Sequence, residues 1–298
     1  MKKTLIALLM VLLCAMLIIS CSSDPKDESS STTPTKATFT VTFDVDGDTT
    51  TVASQSVNEG SKAAKPSDPS KTGYYLSAWN TADGRKFDFN KDTVTADITL
   101  TAVWKKSYNI GDVGPAGGWI FYDIDADNAS GNADNLNSYD AGWKYIEAAP
   151  DDWNNGTSTG DIQLTWGPNN TTIAGGTETG IGKGKENTVN IMAVTPPEGR
   201  EFTAAKICWT YSVSKDSITY SGWFLPSKDE LAALYTNLAK STSSTKKGTW
   251  KTSYGTDSYW SSSENANNYV YTIGFSNGEV SDEAIRDLSK NVRPVRYV

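Results

Sequence analysis

The chain has 298 residues, with 27 basic and 35 acidic side chains and a net charge of −8. With no basic run, that balance argues against nucleic-acid binding and against nonspecific adhesion to anionic lipid. Histidine is absent, which excludes Ser-His-Asp and Cys-His triads and His-ligated zinc and leaves carboxylate-pair chemistry formally open.

Lys2 and Lys3 precede an apolar run over residues 4–19. That length suits the core of a secretory signal and is too short for a comfortable membrane span. The run closes on Ile18-Ile19-Ser20-Cys21, which resembles a bacterial lipobox. The resemblance implies a signal peptide over residues 1–20 and lipidation of Cys21 as the first mature residue. The membrane is then a partner through acyl chains, each buried methylene contributing about 0.8 kcal/mol. Residues 22–36 carry no large apolar side chain, so residues 21–36 are expected to be a lipidated cysteine and a disordered tether.

Residues 37–104 read as a small β-rich unit. Phe39, Val41, Phe43 and Val45 alternate with Thr40, Thr42 and Asp44, the pattern of a half-buried strand. Asp46-Gly47-Asp48 supplies a turn, and residues 51–57, 74–79 and 98–104 give further strands, with Ala82-Asp83-Gly84 turning between the last two. The motifs Phe39-Thr40-Val41-Thr42-Phe43-Asp44, Lys71-Thr72-Gly73-Tyr74, Ala78-Trp79 and Asp97-Ile98-Thr99-Leu100-Thr101-Ala102-Val103-Trp104 resemble the Listeria–Bacteroides, or internalin B-type, repeat. The resemblance implies a β-grasp-like fold over residues 37–106 and a place on bacterial surface proteins. Asp48 and Ala78 stand where that family has glycine. A single copy suits a spacer that lifts the next domain from the membrane, against the alternative of a protein-binding module.

Lys105-Lys106-Ser107 is the expected boundary, and residues 107–298 hold eight of the ten tryptophans. In that region residues 119–122 and 143–146 read as strands, and residues 186–193 and 203–211 as short helices. Ser227-Lys228-Asp229-Glu230 is a capping box, and Leu231, Leu234, Tyr235 and Leu238 follow at helical spacing. Residues 269–275 alternate by two, Asn277-Gly278 is a hairpin turn, and residues 292–298 form a closing strand interrupted by Pro294. Cys208 sits in an apolar helical stretch, where a buried structural thiol is expected rather than a nucleophile. Arg293 and Arg296 are expected to pair with acids beside the closing strand.

Three blocks carry a second resemblance: Trp223-Phe224-Leu225-Pro226-Ser227-Lys228-Asp229-Glu230-Leu231, Tyr259-Trp260-Ser261-Ser262-Ser263-Glu264 and Val292-Arg293-Pro294-Val295-Arg296. With Gly111-Asp112-Val113-Gly114-Pro115-Ala116-Gly117-Gly118 and Gly142-Trp143-Lys144-Tyr145-Ile146-Glu147, they resemble the Legionella collagen-like-protein C-terminal and Fibrobacter succinogenes major paralogous domains. The resemblance implies an α+β, C-type-lectin-like fold, distantly related to formylglycine-generating-enzyme-like domains. Some relatives on bacterial surfaces bind sulfated polysaccharides. The enzyme relatives need a pair of reactive cysteines, which Cys208 alone does not supply, so the chain is expected not to be an enzyme.

Two sites are singled out. Asp123, Asp125, Asp127 and Asp134 alternate as in a calcium loop, against the alternative of a solvated acidic loop. Trp260, Glu264 and Asn265 combine a ring for stacking with polar groups for hydroxyls, against the alternative of a core tryptophan at a polar strand end. The expectation is a two-domain, noncatalytic cell-envelope lipoprotein that binds a polysaccharide or a host or matrix protein. A structural or envelope-assembly lipoprotein is the alternative, and a carboxylate-dependent glycan hydrolase ranks last.

Overall fold

A computed structural model describes residues 36–47, 50–129, 136–154, 161–265 and 269–298. The expected signal peptide, Cys21, the tether through Thr35, Asp48 and Asp134 lie outside the described residues. The chain is mainly β with few helices.

The alternating stretch at residues 38–44 forms β1 (Thr38–Asp44), which runs parallel to β4 (Ile98–Lys106). Antiparallel strands flank this pair: β2 (Gln55–Asn58) beside β1 and β3 (Tyr74–Asn80) beside β4. The inward residues of the alternation, Val41 and Phe43, meet Trp79, Leu100 and Phe87 in one core. Phe43 and Trp79 pack edge to face with ring centroids 5.1 Å apart. Ala78 is buried beside a bulge in β3, so the methyl that replaces the repeat's usual glycine is accommodated in packing.

Beyond Lys106 the strands are β5 (Trp119–Asp123), β6 (Tyr145–Ala148), β7 (Ile162–Thr165), β8 (Val213–Lys215), β9 (Ile218–Tyr220), β10 (Ser258–Glu264), β11 (Tyr269–Gly274), β12 (Val280–Ile285), β13 (Ser289–Val292) and β14 (Val295–Tyr297). They make a five-stranded sheet ordered β12-β11-β10-β13-β7, a three-stranded sheet ordered β14-β6-β5 and the β8–β9 hairpin. The expected single closing strand is corrected to two. Pro294 has no N–H to offer a ladder, and the chain leaves one sheet before Arg293 and joins the other at Val295.

The helices are α1 (Ile124–Ala129), α2 (Ser138–Ala141), α3 (Gly184–Ala193), α4 (Thr203–Thr210) and α5 (Lys228–Leu234), the last continuing through a π-helical turn at Tyr235–Ala239. The Ser227 hydroxyl accepts from the Glu230 N–H and the Glu230 carboxylate accepts from the Ser227 N–H, so the capping box closes as expected. Leu231, Leu234 and Leu238 then turn into a core shared with Phe121, Ile146 and Tyr259. Trp166, Trp223 and Trp260 lie in a neighbouring core with Cys208.

The repeat packs against the C-terminal region, and residues 38–298 make one compact unit. Tyr139 of α2 enters the core of the repeat, 5% exposed, with its hydroxyl donating to the Phe87 carbonyl at 3.0 Å. The Lys86 and Lys65 ammonium groups stand 4.1 and 4.5 Å from its ring centroid.

Candidate functional site

Of the acids of the expected calcium loop, the three described ones are already occupied. Asp123 and Asp125 share the Lys144 ammonium at 2.9 and 2.6 Å. Asp125 also accepts from the Ser138 N–H and hydroxyl, each at 2.7 Å, and these partners hold its carboxyl below the usual carboxylate range against the opposing effect of burial. Asp123 accepts from the Asp125 N–H at the start of α1, and Asp127 accepts from the Tyr122 hydroxyl at 2.5 Å. Among the described residues no three acids converge on a cation position.

The expected stacking role of Trp260 is corrected. Its ring is fully buried, and its indole N–H donates to the Leu164 carbonyl at 2.7 Å. β10 sits in the middle of its sheet, which puts Trp260 inside rather than at a rim. Glu264 pairs with the buried Arg286 guanidinium, and the Asn265 amide donates to the Asp282 carbonyl at 3.1 Å. The serines between them are buried ties: the Ser261 hydroxyl donates to the Tyr271 carbonyl and the Ser263 hydroxyl to the Glu178 carbonyl. Arg286 stands 4.8 Å from the Trp166 ring centroid, and burial lowers its guanidinium to about 10. Nothing in its sequence neighbourhood signalled that role.

A different set of residues forms a cleft of about 510 Å³ where the repeat meets the rest of the chain. Tyr75, Tyr108, Trp143 and Tyr297 supply rings to it. Trp143 and Tyr297 stack face to face, with centroids 4.3 Å apart and planes 7° from parallel. Lys105, Lys106, Lys185 and Arg296 supply cations. Lys106 stands 5.0 Å from the Tyr108 ring centroid. Among the described residues Lys105, Lys106 and Lys185 have no carboxylate partner, and all three are exposed.

Two buried carboxylates brace this cleft from behind. Glu230 accepts from the Gly182 N–H at 3.0 Å, the Ser227 N–H at 2.8 Å and the Tyr297 hydroxyl at 2.9 Å. Burial outweighs these donors and raises its carboxyl to about 7. The same burial pushes the Tyr297 hydroxyl up. Glu147 accepts from the Ala116 and Gly118 N–H groups at 3.1 and 2.9 Å and pairs with Arg296 at 3.4 Å. Burial raises Glu147 and lowers Arg296. The glycine-rich loop before β5 is therefore a wrapping for Glu147: a Cβ at Gly114 would overlap the Glu147 carboxyl.

Asp161 and Arg293 form the third buried ionic knot. The guanidinium donates to both Asp161 oxygens, at 2.5 and 3.0 Å, and to the Ala149 and Thr249 carbonyls at 3.0 and 2.8 Å. Trp153 and Tyr259 donate to the same carboxylate at 3.0 and 2.5 Å. Arg293 and Arg296 thus pair with acids beside the closing strands, as expected. Cys208 is fully buried, and burial drives its thiol well up, which leaves it inert as a nucleophile.

Compared with known families, residues 39–103 fit the family model of the Listeria-Bacteroides repeat domain.

Proposed function

We propose that this chain is a noncatalytic, lipid-anchored envelope protein that binds an acidic glycan in the cleft between the repeat and a C-type-lectin-like region. One observation carries the reading. Three exposed lysines without carboxylate partners converge with the stacked Trp143 and Tyr297 rings. A sugar face can stack on the rings while sulfate or carboxylate groups meet the ammonium groups.

The net charge of −8 does not oppose this. At physiological salt the screening length is about 8 Å, so a ligand in the cleft feels the local lysines more than the distant acids. A noncatalytic role is supported by the fate of the chemically useful groups. Glu147, Glu230 and Asp161 are each saturated by internal donors, and Cys208 is sealed in the core. Anchoring through Cys21 rests on the lipobox-like sequence.

The test is a glycan array of sulfated, carboxylated and neutral polymers probed with the purified protein at low and physiological salt. Saturable binding to acidic polymers that weakens with salt and with Lys105→Glu/Lys106→Glu supports the reading. Capture of a defined envelope protein without glycan binding transfers the support to an assembly role.

A further inference from the structure

The sheet built by β10, β11 and β12 carries a second concavity of about 300 Å³ that shares no residue with the cleft. Its lining includes Ser258 on β10, Thr272 and Gly274 on β11, and Ser281 on β12. The strand register makes these four neighbours: Ser258 pairs with Gly274 and Thr272 pairs with Ser281. The lining there is small, with hydroxyls presented by Ser258 and Ser281 above the buried Thr272. Gly274 keeps it open, because a Cβ would stand only 3.1 Å from the Asn277 amide oxygen and 3.2 Å from an Asp257 oxygen.

Fixed polar groups surround these residues. Asp257 is nearly buried and accepts from the Ser276 N–H at 3.1 Å and from the Ser276 hydroxyl. The Asn277 amide donates to the Glu279 carboxylate at 3.2 Å, and Lys290 of the neighbouring β13 completes the ring. Tyr254 also lines this concavity, and its ring is far more exposed than Tyr74, Trp209 or Tyr269, the other exposed large rings among the described residues. It is 91% exposed. No ring contact holds it among the described residues, so packing does not account for an aromatic there.

The chemistry selects one ligand class. Two carboxylates and one ammonium disfavour an anion, and two carboxylates make a poor cage for a hard cation. Hydroxyls, an amide and a carboxylate beside a free aromatic face match a polyol with one apolar face. The volume lies at the small end of ligand pockets and suits a single ring. We propose that Tyr254 and the hydroxyl-lined surface of β10–β12 bind one neutral pyranose unit of an oligosaccharide. The site is independent of the acidic-glycan reading of the cleft.

The experiment is saturation-transfer NMR and titration of the full chain with neutral gluco-, galacto-, manno- and xylo-oligosaccharides in high salt, where the lysine cleft is screened. At least one series is expected to saturate at millimolar concentration. Tyr254→Ala is expected to weaken it about tenfold, Tyr254→Trp to retain it, and Lys105→Glu/Lys106→Glu to leave it unchanged. Tyr254 is so exposed that its replacement leaves the fold intact. Absence of saturation by every series, or equal binding by wild type and Tyr254→Ala, overturns the proposal.

Discussion

The Tyr297 hydroxyl donates to the buried Glu230 carboxylate at 2.9 Å, and this bond joins the start of α5 to the closing strand β14. The same phenol ring stacks on Trp143, so a capping residue inside the core and an aromatic wall of the cleft share one side chain.

The first prediction concerns pH. Burial raises the Glu230 carboxyl from 4.5 to about 7 in the folded chain. The folded state therefore holds a proton that the unfolded state has lost. The stability this provides is full below about 4.5 and disappears as pH climbs through 7. The change is on the order of 3 kcal/mol. Urea midpoints measured across that window should fall more steeply for wild type than for Glu230→Gln; parallel curves would show that Glu230 stays ionised throughout.

Breaking the Asp161–Arg293 knot should be severe. Removing Arg293 leaves Asp161 buried without a cation, and removing Asp161 leaves Arg293 only its longer contact to Asp151 at 3.3 Å, each at a cost of about 3–5 kcal/mol. Asp161→Ala and Arg293→Ala should each unfold at markedly lower denaturant. The double variant should be far less destabilised than the sum, because the second change removes the orphaned charge.

Gly118 is a packing requirement rather than a turn requirement. A Cβ there would overlap the Ala148 carbonyl across the β5–β6 pair, in direct contact with backbone that cannot swing away. Gly118→Ala should cost about 3 kcal/mol or more, whereas Gly84→Ala, with open space around it, should suffer only from its positive φ of 84°. Thermal unfolding of the two variants side by side separates the two causes.

Tyr139→Ala should loosen the repeat from the remainder. The side chain fills the repeat's core and carries two lysines over its face, so its loss should cost about 3–5 kcal/mol. Calorimetry should then resolve an early transition for residues 38–106. A single transition at nearly the wild-type temperature would mean that other contacts hold the two together.

Local patterns in the sequence were good guides wherever one segment settles its own structure. The capping box at Ser227, the alternation at Phe39, Val41 and Phe43, and the turn at Asn277-Gly278 all depend on neighbours along the chain. The sites failed for the opposite reason. The aspartates after Tyr122 look like cation ligands until Lys144 and Ser138 arrive from a later segment. Trp260 looks like a binding ring until β10 takes a central place in its sheet. The cleft was invisible because Lys105, Trp143, Lys185 and Tyr297 come from four separate stretches, none of them basic or aromatic enough to stand out. In the sequence Lys105-Lys106 reads as a boundary and not as part of a site.

The division of the closing strand at Pro294 has a consequence for how the chain is made. β13 slots between β10 and β7, and β14 completes the sheet of β6. Arg293 between them ties to Ala149, 144 positions earlier. Both sheets therefore stay incomplete while synthesis proceeds, and pairings of such long sequence separation form slowly. If the proposed export signal operates, such a delay would keep the polypeptide threadable until it has crossed the translocation channel.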